Sequence, residues 1–313
     1  MGMMKLYKVT YKLRSATASS WHADTIFGHL CWALRYHEGE DSLKDFLQEY
    51  EEGRPPLIVS NGFPLDYLPR PIMTPLPFKP ADKIERQFED FKQRKMAGKG
   101  EYLTLEEFNR ALNGEPVLPK EENILKRKEQ ISSPRTTLKN QINRLTATTG
   151  GEGQLFDFEE YFWPRVSIYA RIADEFIDQA RKLFETIAPT GFGKRKSVGY
   201  GAIESMEFDE FDGFKTPSNA NGFVTLSNFV PAGNDPVKGA WQTIVKYGKL
   251  GEEYANRGNP FKRPLLMLTA GSTFYDAPCK EYYGRMIHKV SSYPEVVQYA
   301  LALPIVAKLP EGE

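Results

Sequence analysis

The spacing of apolar positions changes character several times along the chain. From Lys5 to Leu13, the apolar and β-forming residues Leu6, Tyr7, Val9, Tyr11 and Leu13 are interleaved with Lys and Thr, which predicts a half-buried strand. Ser19 and Ser20 then offer an N-cap, and Ala23, Phe27, Leu30 and Leu34 recur at three- and four-residue spacing. His22 to Tyr36 therefore reads as an amphipathic helix. A second, acidic helix from Asp41 to Tyr50 is stopped by Arg54-Pro55-Pro56, and Leu57-Ile58-Val59 forms a short strand. Further on, Val166, Ile168, Ala170 and Ile172 alternate within a strand from Pro164 to Ile172. Phe176, Ile177, Ala180, Leu183, Phe184 and Ile187 mark a helix from Asp174 to Ile187. A glycine-rich loop, Gly191 to Gly201, leads into a strand from Ala202 to Phe208.

Between these halves lies different material. Pro64, Pro69, Pro71, Pro75, Pro77 and Pro80 predict an extended connection over residues 61–80. Residues 81–130 are highly charged and read as two or three surface helices, an insertion rather than core. Residues 131–163 place Arg135, Lys139 and Arg144 among Thr, Asn and Gln, followed by a Gly-rich turn and the alternating Leu155-Phe156-Asp157-Phe158. They predict a long hairpin or loop. The order strand, helix, strand, insertion, strand, helix, glycine loop, strand is the split βαβ, ferredoxin-like (RRM-like) α+β pattern. Residues 213–313 are strand-rich, at Phe223–Phe229, Trp241–Lys246, Leu265–Thr269, Arg285–Val290 and Val297–Val306, and predict a second, smaller β-rich ferredoxin-like domain. The expected division is residues 1–212, with 61–163 inserted, and residues 213–313.

Composition narrows the classes. Of 313 residues, 41% are hydrophobic and 26% charged, which excludes disorder as the main state. Lys+Arg and Asp+Glu both number 41, so any nucleic-acid contact must come from local basic patches. Cys31 and Cys279 cannot build a disulfide framework or a thiolate zinc cage, and with four histidines neither a metal nor a cofactor is expected. The first residues lack a signal-peptide apolar run, and the apolar stretch from Tyr299 to Leu309 is broken by Pro304. The expectation is a cytoplasmic protein with no membrane partner.

The strongest local chemistry is in the glycine loop. Gly191, Gly193, Gly199 and Gly201 permit backbone torsions that other residues resist, Lys194, Arg195 and Lys196 supply positive charge, and Phe192 and Tyr200 can stack or pack. It is not a phosphate-binding P-loop, which would need Gly at Ala188 and Ser or Thr at Arg195. Nor is it a dinucleotide fingerprint, whose third glycine would fall at Lys196. Two readings stay open from the residues alone: an RNA-facing loop, and a tight helix-to-strand turn with exposed cations.

In its position before the last strand of a ferredoxin-like unit, this loop resembles the glycine-rich loop of the RAMP superfamily, RNA-binding proteins of CRISPR systems. The segments Ser19–Leu34, Ser60–Pro71 and Asn140–Phe156 also resemble elements of one RAMP branch. That branch is the Cas-five-like subunit family of the type III-A Csm effector complex (Csm-four). The resemblance runs from about Lys5 to Phe208. It implies a non-catalytic subunit that holds the repeat-derived 5′ tag of a CRISPR guide RNA (crRNA) in antiviral defence. It also implies contacts with the large polymerase-like subunit and a backbone RAMP subunit, with the central insertion forming a thumb-like hairpin. Gly191, Gly193, Lys194, Arg195, Lys196, Ser197 and Gly199 would face the tag, through backbone N–H groups and cations. Asn140, Asn143, Arg144, Thr146 and Phe156 would belong to the thumb.

Other candidates carry competing readings. Arg70, in a proline-stiffened segment, suits RNA, a partner subunit or a structural salt bridge equally. His22 and Asp24 stand at the start of the first helix, where an imidazole and a carboxylate suit acid–base work on RNA. Asp24 equally suits the positive helix N-terminus, His22 a capping or packing role, and both an RNA contact. His29 reads as a satisfied histidine near the core, and the acidic run from Glu38 to Glu52 as a solvated helix or a dock for a basic neighbour. Two alternative functions remain: a RAMP endoribonuclease that processes CRISPR transcripts through His22, and the equivalent subunit of a type III-B (Cmr) complex.

Overall fold

The computed structural model describes residues 4–73, 100–117, 131, 135–140, 142–143, 145–146, 148–149, 155–256 and 258–310. β1 (Met4–Leu13) leads to α1 (Ala23–Glu51), β2 (Leu57–Pro64), the short β3 (Tyr67–Pro69) and β4 (Tyr102–Thr104), and α2 (Leu105–Leu112). Next come β5 (Arg135–Asn140), β6 (Ile142–Asn143), β7 (Thr148–Thr149) and β8 (Leu155–Glu160). β9 (Arg165–Ala173), α3 (Ile177–Thr190) and β10 (Ile203–Glu210) follow. The rest of the chain carries β11 (Gly222–Thr225), β12 (Gly239–Ala240), β13 (Thr243–Lys246), β14 (Leu265–Leu268), β15 (Thr273–Tyr275), β16 (Tyr283–Gly284), β17 (Leu301–Ala302) and β18 (Pro304–Ala307).

One sheet has the order β10-β1-β9-β2, with every neighbouring pair antiparallel. Its two faces meet different layers because side chains alternate across a strand. Val9, Tyr11, Ile168 and Ala170 pack against Ile26, Leu30 and Leu34 of α1 and Leu183 and Phe184 of α3. Ile58 and Tyr169 join a separate apolar cluster with Val224, Leu226, Leu303 and Ile305. These last four belong to or flank strands of a second antiparallel sheet, β12-β15-β11-β18. β9 is covered on both sides, so its sequence is nearly continuous in buried residues. The buried Tyr11 hydroxyl donates to the carbonyl of Phe184 at 2.7 Å, satisfying the phenol while tying β1 to α3.

Three details differ from the sequence expectation. β2 continues through Asn61 to Pro64, where proline content predicted an irregular connection. The strand absorbs a bulge between Val59 and Gly62, and Pro64 is tolerated at its last residue. Within the charged stretch taken as insertion, α2 carries a full capping box from Thr104 and Glu107 and buries Phe108 and Leu112 in the second cluster, so this segment is core. In the last hundred residues, 285–290 holds a single bridge at Ile287 rather than a strand, while β15 was not expected. Chain pairing decides such short strands, since three or four residues carry little pattern of their own. α1, by contrast, breaks at Gly39 (φ 94°), between the two predicted helices. Among the described residues no helix is long and apolar enough to cross a membrane.

Candidate nucleic-acid interface

The glycine loop is built from the inside out. Phe192 is fully buried and stacks on Trp21, with ring centroids 3.6 Å apart and planes 5° apart, and Trp21 in turn lies against Tyr11. With that ring as anchor, the backbone folds tightly over the segment before α1. The N–H of Phe192 donates to Gly201 O (2.9 Å), that of Gly201 to Ala16 O (2.8 Å), and that of Lys194 to Ser19 Oγ (3.1 Å). The Gly193 N–H donates to His29 Nε2 at 3.0 Å. Two glycines are required by this closeness. A Cβ on Gly201 (φ +67°) would lie 2.0 Å from Phe192 O, and one on Gly193 (φ +78°) would lie 2.7 Å from Ser19 Cβ.

This strapping corrects one expectation. The N–H groups of Gly191, Gly193, Lys194 and Gly199 bond within the chain, so they are not presented to a phosphate. The loop instead offers side chains. Lys194, Arg195 and Ser197 are exposed around the exposed Gly199. Lys196 is turned aside to pair with Glu252 at 2.8 Å, and its hydrogen bond holds that carboxyl below the usual range. His29 is held neutral, its pKa lowered to about 4, first by burial and then by Lys196.

The hairpin of β5 and β8 closes on this loop. Lys139 Nζ donates to the Tyr200 hydroxyl at 2.6 Å, and that hydroxyl donates to Glu160 Oε2 at 3.0 Å. Lys139 lies 4.0 Å and Arg195 4.6 Å from the centre of the Phe158 ring, a pair of cation–π contacts. The edge of Tyr200 meets the same ring at 5.2 Å. The structure thus brings two segments predicted separately into one cluster of cations and aromatic rings around the buried Phe158. Lys139 and Phe158, which knit it, were not among the predicted site residues; the aromatic alternation of β8 was the available signal. Of the thumb candidates, Asn140 is exposed at the end of β5, Thr146 is exposed, Asn143 lies in β6 and Phe156 in β8 opposite Lys139. Arg144 lies outside the described residues.

His22 and Asp24 join a different arrangement. Lys246 Nζ, from β13, contacts Asp24 Oδ1 at 3.0 Å, His22 Nδ1 at 3.1 Å and Thr25 Oγ1 at 3.1 Å. Gln298 donates to Asp24 Oδ2 at 2.7 Å, and Lys262 donates to the Gln298 side-chain oxygen at 2.8 Å. Burial first, then Lys246, lowers the His22 pKa to about 4, while burial lowers Lys262 to about 8. His22 and Arg70 both line a cleft of about 990 Å³, together with Phe63 of β2, Tyr102 of β4 and Ile244 of β13. Within it Arg70 donates to Val117 O at 3.2 Å, and burial depresses its guanidinium pKa.

Comparison with known proteins adds the following. Residues 22–204 match the family model of the RAMP superfamily. A chain of a Csm1–Csm4 cassette in complex with AMPPNP shares the fold with a TM-score of 0.61, at 19% identity over 98% of this chain and 100% of that one. A chain of a Csm3–Csm4 subcomplex in the type III-A CRISPR-Cas interference complex does so with a TM-score of 0.61, at 14% identity over 98% and 100%. Csm4 is the component common to both assemblies. No curated protein sequence matches the chain at a significant level.

Proposed function

Because the chain belongs to the RAMP superfamily, we propose that it is the subunit of a type III-A CRISPR effector complex that holds the repeat-derived 5′ tag of the guide RNA. In this reading the β10-β1-β9-β2 sheet with α1 and α3 is a ferredoxin-like unit, and residues 213–313 form a second, smaller domain. The partners are a large polymerase-like subunit and a backbone RAMP subunit, and the assembly works in the cytoplasm. The proteins of like fold, found in assemblies with Csm1 and with Csm3, support those partner classes.

The observation that carries the reading is the glycine loop locked onto Trp21 and the β5–β8 hairpin. The N–H groups of Phe192, Gly193, Lys194 and Gly201 are tied within the chain, so the exposed Lys194 stands on a fixed backbone, with Arg195 beside it against the Phe158 ring. On a fixed backbone only side-chain freedom is lost when such a cation meets a phosphate, and single-stranded RNA can follow so small a surface. His22 supports a non-catalytic role. A pKa near 4, with Nδ1 against Lys246, makes it a poor proton donor at neutral pH and a weak base.

The test is a pull-down. The tagged chain is co-expressed with a CRISPR array and Csm-type subunits, and the 5′ ends of bound RNA are sequenced, for wild type and for Lys194→Ala/Arg195→Ala/Lys196→Ala. Uniform repeat-derived 5′ ends, reduced at least tenfold in the variant, are expected. Random ends, or RNA unaffected by the variant, would overturn the reading.

A further inference from the structure

The β13–β14 ribbon is apolar on both faces but covered on one. Met267 is buried, and Lys246 points inward to Asp24. On the outer face stand Trp241 (49% exposed), Val245 (47%), Tyr247 (74%) and Leu266 (60%), with Val245 directly opposite Leu266. Phe261, 61% exposed, continues this face through its bridge to Lys249, whose ammonium lies 5.7 Å from its ring centre. The charge here is one-sided in a chain that is neutral as a whole. Residues 236–251 and 258–275 contain Lys238, Lys246, Lys249, Lys262 and Arg263 and no Asp or Glu. Lys246 and Lys262 turn inward, while Lys238, Lys249 and Arg263 are exposed.

We propose that the outer face of this ribbon is a platform for single-stranded RNA, separate from the glycine loop. Unpaired bases stack on Trp241, Tyr247 and Phe261, and the backbone phosphates meet Lys249 and Arg263. Exposed rings interleaved with cations suit bases and phosphates, whereas protein–protein interfaces are depleted in lysine. The two strands and their flanks carry no carboxylate, and Glu252 and Glu253 of the connecting turn are paired with Lys196 and Arg35, which limits the repulsion phosphates would meet. The ribbon also adjoins the loop. Ser19 anchors the loop, and His22, three residues on, contacts the ribbon's Lys246. The inference rests on the RNA-binding reading but concerns a surface of its own, so the two can fail separately.

The experiment uses the full chain and a fluorescein-labelled 20-nucleotide oligouridine, with anisotropy read across a salt series. Trp241→Ala/Tyr247→Ala/Phe261→Ala is expected to weaken binding about tenfold or more with an unchanged salt slope. Lys249→Ala/Arg263→Ala is expected to reduce the slope of log K against log salt by about 0.7 per cation removed. Where the aromatic variant loses its melting temperature, photocrosslinking of wild type with 4-thiouridine RNA replaces it, and adducts at Trp241, Tyr247 or Phe261 are expected. Unchanged affinity in a folded aromatic variant, or no adduct at these rings, overturns the ribbon site while leaving the loop reading intact. Loss of a co-purifying protein with unchanged RNA affinity overturns it in favour of protein docking. Absence of any oligouridine binding by wild type overturns both readings.

Discussion

Two clusters flank the start of α1 and treat their positive charges in opposite ways. On one flank the glycine loop spends its backbone donors on Ala16, Ser19 and His29, and leaves Lys194 exposed. On the other, Lys246 and Lys262 turn inward and are spent on Asp24, His22 and Gln298. Residue type is the same on both flanks; the number of protein acceptors within reach differs. A lysine beside a buried carboxylate is committed to the fold, whereas a cation on a strapped backbone stays available for phosphate.

The largest test of this contrast is Asp24→Asn. The Asp24 side chain is 6% exposed and its Lys246 partner 16%, so removing the carboxylate leaves a poorly solvated ammonium. A loss of about 3 kcal/mol in urea unfolding is expected, since stranding one partner of a buried pair is costly. A loss under about 0.5 kcal/mol, the size of an ordinary surface substitution, would mean that the inner cluster is as solvated as the loop.

A middle-sized effect is expected from pH. His22 and His29 titrate near 4 when folded, against 6.5 for a free imidazole. Between those values the unfolded chain binds more protons, so stability is full above about pH 6.5 and falls as pH drops toward 4. His29→Gln, which keeps an acceptor for the Gly193 N–H, is expected to remove its share of the slope, measured as unfolding midpoints from pH 4 to 7. An unchanged slope would show that His29 is not held neutral by the loop.

The smallest effect should come from Lys194→Ala. Its side chain is exposed, and thermal unfolding is expected to shift by less than about 0.5 kcal/mol. Guide RNA retention should fall by a factor of several, and a stability loss comparable to that of Asp24→Asn would erase the distinction between the two flanks.

The elements that position the site were legible where pattern is long. Alternation in β1 and β9 and the three-to-four spacing of α1 and α3 place Tyr11, Phe184 and the glycine loop without any structure. The loop's four glycines and three cations in eleven residues were legible too, though the residues alone left an ordinary tight turn open beside an RNA-facing loop. The junction with the hairpin was not. Lys139 and Tyr200 are 61 residues apart, and nothing in either segment pairs it with the other. Lys246 meets His22 across 224 residues; His22 stood out in the sequence, but nothing there marked Lys246 as its partner.

The sequence by itself determined the strand and helix order of the β10-β1-β9-β2 unit, the tight loop after α3, and the charge and aromatic content of each segment. These follow from local periodicity and glycine chemistry, which act over a few residues. Tertiary structure decided which cations face out, which N–H groups are already spent, and that β2 runs on to Pro64. It also decided that α2 is core and that the hairpin closes on the loop. Burial and hydrogen-bond partners belong to surfaces made of distant segments, and no window of one sequence contains both sides of such a surface.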